Sequence, residues 1–234
     1  MTGVAEIAEL LRTRRARRTP FIVGVTGAVA VGKSTFAAEL AAAIAAWPGA
    51  PAVEVVATDG FLFPNAVLQG RGLLNRKGFP ETYDGAALRA ALAGVRQGPA
   101  SFPTYSHVLY DVDPALARRL ERPDLLIVEG LGLQEGAAAL GLDALIYLDA
   151  DEADVEAWFE ERFVGLWRAA ETDPASFYAR FRHMDEAQTR ALAVQVWRAI
   201  NLPNLRQHIV LGREAADIVV TKGADHVILA VRGG

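Results

Sequence analysis

The chain has 234 residues, which is enough for one substantial domain with a buried core. Hydrophobic residues make up 52% of the chain and charged residues 22%, a composition that excludes a disordered or fibrous protein. The net charge of -4 argues against nucleic acid as the main partner, and the lack of cysteine excludes disulfides, thiolate catalysis and cysteine metal sites.

No secretory signal is visible, because glutamates interrupt the apolar residues 4–11, and no apolar stretch is long enough to span a bilayer. We therefore predict a cytoplasmic protein without a membrane partner. Residues 4–18 show the pattern of a short amphipathic helix, and we treat residues 1–19 as an N-terminal helix or arm. A run of arginines follows within it: Arg12, Arg14, Arg15, Arg17 and Arg18. Such a run is typical of a solvated helix end, and an anion-binding arm is the alternative.

Strands alternate with helices along the rest of the chain. Buried strands are predicted at residues 21–25, 53–57, 125–128 and 144–148, and late strands at 218–221 and 227–231. Helices are predicted at residues 33–46, 85–95, 151–168 and 185–200. Residues 60–83 are polar and weakly periodic, which indicates a long functional loop with little regular structure. The alternation predicts an α/β fold with a mostly parallel sheet in a single domain, residues 1–234.

A glycine-bearing loop joins the first strand to the next helix. It matches G-x-x-x-x-G-K-[ST] without deviation and consists of Gly27, Ala28, Val29, Ala30, Val31, Gly32, Lys33 and Ser34, followed by Thr35. The glycines let successive backbone N–H groups face one point, where the helix N-terminus and the Lys33 ammonium add positive charge. The Ser34 hydroxyl is placed to coordinate Mg²⁺. The pattern predicts a three-layer P-loop fold that binds a nucleoside triphosphate, with a glycine turn beside a solvated lysine as the alternative.

Acidic residues follow three of the predicted strands. Ligands of open α/β sheets lie beyond the carboxyl ends of the strands, so Asp59 and Glu129 should face the phosphates. Phosphoryl transfer needs one group to deprotonate the attacking hydroxyl and another to hold the metal. We predict Asp59 as the base and Glu129 as a metal ligand, with capping of a helix or turn as the alternative for each. Asp149 precedes Asp151 and Glu152 and is predicted to cap a helix.

A longer pattern is more specific than the P-loop. It comprises TDGFL at residues 58–62, PNAVL at 64–68, RGL at 71–73, KGFPE at 77–81 and YD at 83–84. Further matches are YSH at 105–107, YD at 110–111, IN at 200–201, NL at 204–205 and TK at 221–222. Over residues 20–231 the sequence resembles the type I bacterial pantothenate kinase family.

The resemblance implies an ATP- and Mg²⁺-dependent kinase that phosphorylates pantothenate to 4′-phosphopantothenate, the first step of coenzyme A biosynthesis. Asp59 would be the catalytic base, and Arg162 would steady charge on the transferred phosphoryl group. Lys222 and His226 would lie near the adenine. Pantothenate would be held by Asp59, Tyr105, His107, Tyr110 and Asn201, with Phe159 where the family has a tyrosine. Residues 60–84 and 160–184 would be substrate or lid segments, and the family's dimers imply a homodimer.

Each of these side chains also has an ordinary explanation that involves no ligand. The alternatives are a surface His107, packing of Tyr105 and Tyr110 on Phe102, pairing of Arg162 with Glu156 or Asp154, and a strand-start position for His226. The aromatic residues of the 158–181 region and Trp197 are predicted to form core or lid packing. Some of them can still line an apolar wall of the substrate site.

The sequence departs from the family in ways that bear on specificity. Phe159 lacks a hydroxyl that the family's tyrosine would direct at the substrate, and a lost polar group can change the preferred substrate. The alternative is therefore a related P-loop kinase for another small alcohol, such as a nucleoside, a sugar or glycerate. Residues 36–39 lack the basic residue that helps the family bind coenzyme A, so weaker feedback inhibition is expected. Much of the family's N-terminal region, which contributes to the adenine pocket, has no counterpart.

Two other classes of protein fit the sequence less well. A nucleotide-dependent switch needs a guanine-reading motif of the type N-K-x-D, and residues 221–225 place the acid one position too far. A nucleotide-binding scaffold without chemistry has no need for both Asp59 and Arg162. The sequence therefore favours a small-molecule kinase.

Overall fold

The computed structural model describes residues 3–15 and 19–233. Within them the β-strands are β1 (Phe21–Gly27), β2 (Val53–Ala57), β3 (Ala100–Ser106), β4 (Asp111–Leu120), β5 (Leu125–Glu129), β6 (Ala144–Asp149), β7 (Ile218–Lys222) and β8 (Ile228–Gly233). The α-helices are α1 (Val4–Arg14), α2 (Lys33–Ala45), α3 (Asn65–Gly70), α4 (Gly85–Gln97), α5 (Ala137–Leu140), α6 (Glu152–Ala169), α7 (Glu186–Val196), α8 (Leu202–Asn204) and α9 (Leu211–Ala215).

The central sheet has the strand order β2-β5-β1-β6-β7-β8. Its first five strands run parallel, and β8 is antiparallel to β7. Strand β1 is buried along its whole length, which explains its continuous apolar run. Because the parallel strands end at one edge of the sheet, the residues that follow β1, β2 and β5 come together there.

Helices cover both faces of the sheet, so the predicted three-layer α/β fold is confirmed. On one face, α1 and α2 bury Leu11, Leu40 and Ile44 against the sheet. On the other face, α4 packs Leu88 and Leu92 against alternate positions of the same strands. The alternation of strand side chains between the faces supplies both hydrophobic cores.

No strand or helix was predicted for residues 100–120, which carry Tyr105. They form a hairpin in which β3 pairs antiparallel with β4 outside the central sheet. The pairing shifts between Phe102 and Thr104, on either side of Pro103, which has no N–H to give to the ladder. The ring of Phe102 packs against that of Phe61, with 6.2 Å between the ring centroids, and not on Tyr105 or Tyr110.

The segment 60–83 is also more regular than predicted, because it contains α3 and several 3-10 turns. The last predicted helix, residues 185–200, is divided: α7 gives way to a π-helical turn at Trp197–Asn201. The proposed capping by Asp149 was wrong. Asp149 belongs to β6 and pairs with Arg213 at 2.8 Å, while Asp151 occupies the N-cap position of α6.

The N-terminal helix ends at Arg14, four residues before the predicted end. Arg17 and Arg18 lie outside the described residues. The other arginines of the run pair with carboxylates: Arg12 with Glu9 at 2.7 Å, Arg14 with Asp217 at 2.9 Å and Arg15 with Asp124 at 3.6 Å. These pairs fit a solvated helix end better than an anion-binding arm. No helix of the described residues combines the length and hydropathy needed to cross a membrane.

Candidate active site

The P-loop forms a tight turn between β1 and α2. Its backbone has positive φ at Gly27 (144°) and Gly32 (89°), a region that glycine adopts without strain. Gly27 also has no room for a side chain, because a Cβ would collide with the backbone of Leu148. The Lys33 ammonium folds back and donates to the carbonyl oxygens of Gly27 (3.2 Å) and Ala28 (2.8 Å). The lysine and the helix N-terminus therefore lie at the same point.

Ser34 and Glu129 meet beside this loop. Glu129 ends β5, where it lies in register with Val25 of β1 and Ala57 of β2. The Ser34 hydroxyl donates to Glu129 Oε1 at 2.8 Å. Burial raises the pKa of Glu129, while the hydrogen bond from Ser34 and the charge of Lys33 oppose that shift.

These two oxygen groups suit Mg²⁺ in the presence of a nucleotide. The described part of the chain contains no group of three or more His, Cys, Asp or Glu residues that could hold a metal ion. Mg²⁺ in phosphoryl-transfer sites is commonly bound by one or two carboxylates, with phosphate oxygens and water as the other ligands. The Ser34 hydroxyl and the Glu129 carboxylate fit that set, because they leave the remaining positions to the phosphates.

Asp59 lies in a short 3-10 turn directly after β2, at the same edge of the sheet. The Tyr83 hydroxyl donates to Asp59 Oδ1 at 3.1 Å. Burial lowers the pKa of Lys33 and that of Lys77 to about 8, and the charge of Asp59 opposes the shift in both. The carboxylate is thus close enough to act on the P-loop cation and on a second cation outside the loop.

That second cation, Lys77, was not assigned from the sequence. Its ammonium donates to Asn65 Oδ1 at 2.7 Å and to the Tyr110 carbonyl oxygen at 2.6 Å. It also lies 4.7 Å and 4.5 Å from the ring centroids of Tyr105 and Tyr110, within cation–π range. Tyr105 packs edge-on against His107 (5.2 Å) and Tyr110 (6.1 Å). The predicted Tyr-x-His-x-x-Tyr group therefore converges in space, around a lysine.

Arg162 lies on the exposed side of α6. Its alternative partner Glu156 pairs instead with Arg198 at 3.2 Å, and within the described residues Arg162 forms no ion pair. Burial has the largest influence on the pKa values of Lys33 and Glu129, and the positive charge of Arg162 acts to lower both. The guanidinium therefore lies within electrostatic reach of the phosphate-binding groups.

Aromatic side chains connect α6 to the hairpin. Phe159 lies 5.7 Å from Trp197 and 6.1 Å from Phe163, and Tyr110 of the hairpin stacks on Phe177 at 4.0 Å. Further ring contacts link Phe163 with Tyr178 (5.3 Å) and with Phe181 (6.1 Å). The predicted packing of these aromatic residues is confirmed, and Phe159 is part of it.

Lys222 and His226 also lie next to the P-loop, at Val31 and Gly32. The Lys222 ammonium donates to the Val31 carbonyl oxygen at 2.9 Å, and a Cβ built on Gly32 would lie 3.9 Å from His226 Nδ1. His226 has a positive φ of 65° and stacks on Trp158 at 3.9 Å. This ring pair is more than an ordinary strand start, because it borders the phosphate-binding loop.

Asn201 ends the π-helical turn and is partly buried. Pi-helical turns inside α-helices occur often at functional sites. No hydrogen bond joins its side chain to another described residue, so the structure does not itself connect Asn201 with the tyrosines. The sequence reasoning missed three other groups, Tyr83, Lys77 and Asn65. All three stand in the family pattern at residues 64–84, and their positions in it were the available signal.

Similar folds occur among solved kinase structures, while a comparison with models of protein families gives no match. A protein of Silicibacter sp., provisionally described as a fructose transport system kinase, has a TM-score of 0.73 at 24% identity, over 92% of this chain and 96% of its own. The D-glycerate 3-kinase of Cryptococcus neoformans has a TM-score of 0.66 at 14% identity, over 99% of each chain. At these identities the likeness establishes the fold alone, a P-loop kinase fold.

Curated relatives are much closer in sequence. The pantothenate kinase of Sorangium cellulosum is 47% identical over 93% of this chain and 74% of its own length. The pantothenate kinase of Xanthobacter autotrophicus is 43% identical over 92% of this chain and 70% of its own length. That of Sinorhizobium medicae is 41% identical over 99% of this chain and 76% of its own length. On this similarity, which extends over nearly the whole chain, the protein belongs to the pantothenate kinase family.

Proposed function

We propose that the chain transfers the γ-phosphoryl group of ATP to the 4′-hydroxyl of pantothenate, which yields 4′-phosphopantothenate and begins coenzyme A biosynthesis. Pantothenate is inferred as the substrate because each of the three relatives is named pantothenate kinase. One observation carries the chemistry: Asp59 follows β2 at the sheet edge where Glu129 ends β5 and accepts from Ser34 of the P-loop, and Tyr83 donates to Asp59. A single carboxylate therefore lies at the edge of the sheet that carries the P-loop, on the segment that also carries Lys77.

The P-loop residues Gly27 to Ser34 would hold the triphosphate through backbone N–H groups and the Lys33 ammonium. Ser34 and Glu129 would hold Mg²⁺, which in such sites neutralises charge on the phosphate oxygens. Lys222 and His226, next to Gly32, would border the adenine. These assignments agree with the positions of the groups around one loop.

In the transfer step, Asp59 would accept the proton of the 4′-hydroxyl while that oxygen attacks the γ-phosphorus. The bond from the γ-phosphorus to the bridging oxygen breaks, and ADP leaves. Lys33 and Arg162 would stabilise the charge on the transferred group, a task suited to a guanidinium because its donors spread over several oxygens.

Pantothenate would bind between the hairpin and α6. Tyr105, His107, Tyr110 and Asn201 would supply hydrogen bonds, and Phe159 would supply apolar contact. Their convergence supports this for the three hairpin residues. We further propose that the enzyme is cytoplasmic and that it forms a homodimer, as its family does.

Incubation with γ-labelled ATP, Mg²⁺ and one acceptor at a time tests the proposal directly. Pantothenate should be labelled, whereas glycerate, uridine and fructose should not. A reaction without any acceptor corrects for hydrolysis of ATP. Labelling of another acceptor but not of pantothenate would refute the substrate and leave a kinase. Omission of Mg²⁺ should abolish labelling in each case.

A further inference from the structure

The segment between β2 and α4 leaves the sheet and returns to it at nearly the same place. Its two ends are joined by backbone hydrogen bonds from Phe63 N–H to the Thr82 carbonyl (2.9 Å) and from Asp84 N–H to the Phe61 carbonyl (2.8 Å). Between them, Leu62 and Tyr83 pair as an antiparallel bridge. This neck brings Tyr83 next to the turn that carries Asp59, although the two are far apart in sequence.

The Tyr83 side chain is fixed at both ends. Its ring lies against Gly132, where a Cβ would be 3.6 Å from the ring, and Gly132 has a positive φ of 81°. Its hydroxyl donates to Asp59 Oδ1 at 3.1 Å. A carboxylate has two oxygens, so this bond restrains Oδ1 of Asp59 and leaves Oδ2 available for another proton donor.

Tyr83 can act only as a donor near neutral pH. Burial raises the pKa of Tyr83 well above 10, and the neighbouring charge of Asp59 adds to the shift. The hydroxyl therefore keeps its proton and cannot replace Asp59 as the base. Toward Asp59 it donates a hydrogen bond, which restrains the orientation of the carboxylate.

We infer that Tyr83 is a positioning residue for the transfer step: it holds Asp59 Oδ1 so that Oδ2 faces the acceptor hydroxyl. The inference rests on the proposed function, because it assumes that Asp59 is the base. It gives the neck of the 58–84 segment a task in catalysis. The bridge between Leu62 and Tyr83 joins the two ends of the segment and brings the Tyr83 hydroxyl to the Asp59 carboxylate.

The test is Tyr83→Phe, which keeps the ring on Gly132 and removes only the hydroxyl. We expect kcat to fall about tenfold to a hundredfold, because small misplacements of a reacting group have effects of that size. KM for ATP and for pantothenate should stay within about twofold, because the lost interaction serves the transition state and not binding. Tyr147→Phe is the matched control: it removes the hydroxyl of another buried tyrosine, on β6, which forms no hydrogen bond with Asp59 in the described part of the chain, and the kcat of this variant should not change.

A double-mutant cycle separates this inference from the proposed function. Asp59→Asn alone should lower kcat by about a hundredfold or more, the usual range for a general base. Undiminished turnover in Asp59→Asn would refute the base, whatever Tyr83 does. In the Asp59→Asn background, Tyr83→Phe should cause no further loss, because Tyr83 acts only through Asp59.

The remaining outcomes decide about Tyr83 alone. Wild-type kcat in Tyr83→Phe, or the same loss with and without Asp59, would each overturn the inference. Tyr83→His, which retains an N–H donor, should recover part of the kcat that Tyr83→Phe loses. A His variant no better than Phe would count against a hydrogen-bonding role.

Discussion

The phosphate-binding half and the acceptor half of the site are built in different ways. The P-loop, Gly27 to Ser34, is one continuous stretch whose glycines determine its turn. The acceptor half combines the 58–84 segment, the β3–β4 hairpin and α6. A short motif with its own conformational requirements specifies its geometry locally, whereas an assembled pocket depends on contacts between distant segments.

The two lysines show the same difference. Lys33 bonds to two carbonyl oxygens of its own loop, Gly27 and Ala28. Lys77 needs Asn65 of α3 and Tyr110 of the hairpin to satisfy it. Burial lowers the pKa of each to about 8. The hydrogen-bond partners of Lys33 are thus local in sequence, whereas those of Lys77 come from two other segments.

Arg162 should show the largest effect, because it acts where the two halves meet. Arg162→Ala should lower kcat about a thousandfold, since an arginine that stabilises a transferred phosphoryl group contributes at least that much. Stopped-flow or labelled-ATP assays at saturating substrates would measure it. Arg168→Ala is the matched control on the same helix, where Arg168 forms an exposed pair with Glu186. Such pairs contribute little. Equal losses in both variants would contradict a special position for Arg162.

The sequence predicted best the features that a short motif or the end of a strand specifies. Asp59 and Glu129 were both expected beside the P-loop because parallel strands end at one edge, and the hydrogen bond from Ser34 to Glu129 confirms this for Glu129. The hairpin could not be recognised, because Pro103 and the polar residues of β4 do not show the alternation typical of a strand. Gly60 was the one indication of a close contact: the backbone of Pro103 occupies the place that a Cβ on Gly60 would need.

The pH dependence of ATP binding tests the P-loop half alone. In the nucleotide-free protein burial lowers the pKa of Lys33 to about 8, so its ammonium is mostly protonated at pH 7 and mostly neutral at pH 9. Since the phosphates bind the charged form, Kd for ATP should rise as the pH increases above about 8, by up to about tenfold per pH unit. Calorimetry without pantothenate, in buffers of different ionisation heat, should also show proton uptake on binding.

Lys77→Met is the control for that experiment. It removes the acceptor-half cation whose pKa is also about 8, so a pH dependence that remains belongs to the nucleotide half, where burial also lowers the pKa of Lys222. A flat profile in the wild type would contradict the lowered pKa of Lys33. A profile that becomes flat only in Lys77→Met would assign the effect to the acceptor half and remove the contrast between the two.

The smallest expected effect belongs to the acceptor half alone. Asn204 is buried, and its Nδ2 donates to the Gly78 carbonyl oxygen at 2.8 Å, which ties the residue after Lys77 to the C-terminal helices. Asn204→Leu removes this tie at similar volume. One lost hydrogen bond changes the free energy by about 1 kcal/mol, so KM for pantothenate should rise about threefold to tenfold. KM for ATP should not change, because the P-loop does not depend on the segment.

Asn75→Leu provides the comparison within the same segment, since Asn75 is exposed. Its KM values should match those of the wild type. If Asn204→Leu raised KM for ATP and for pantothenate equally, the C-terminal helices would support both halves and the site would be one cooperative unit. A rise confined to pantothenate would instead mean that the acceptor half can be loosened while the P-loop stays intact, as its local construction requires.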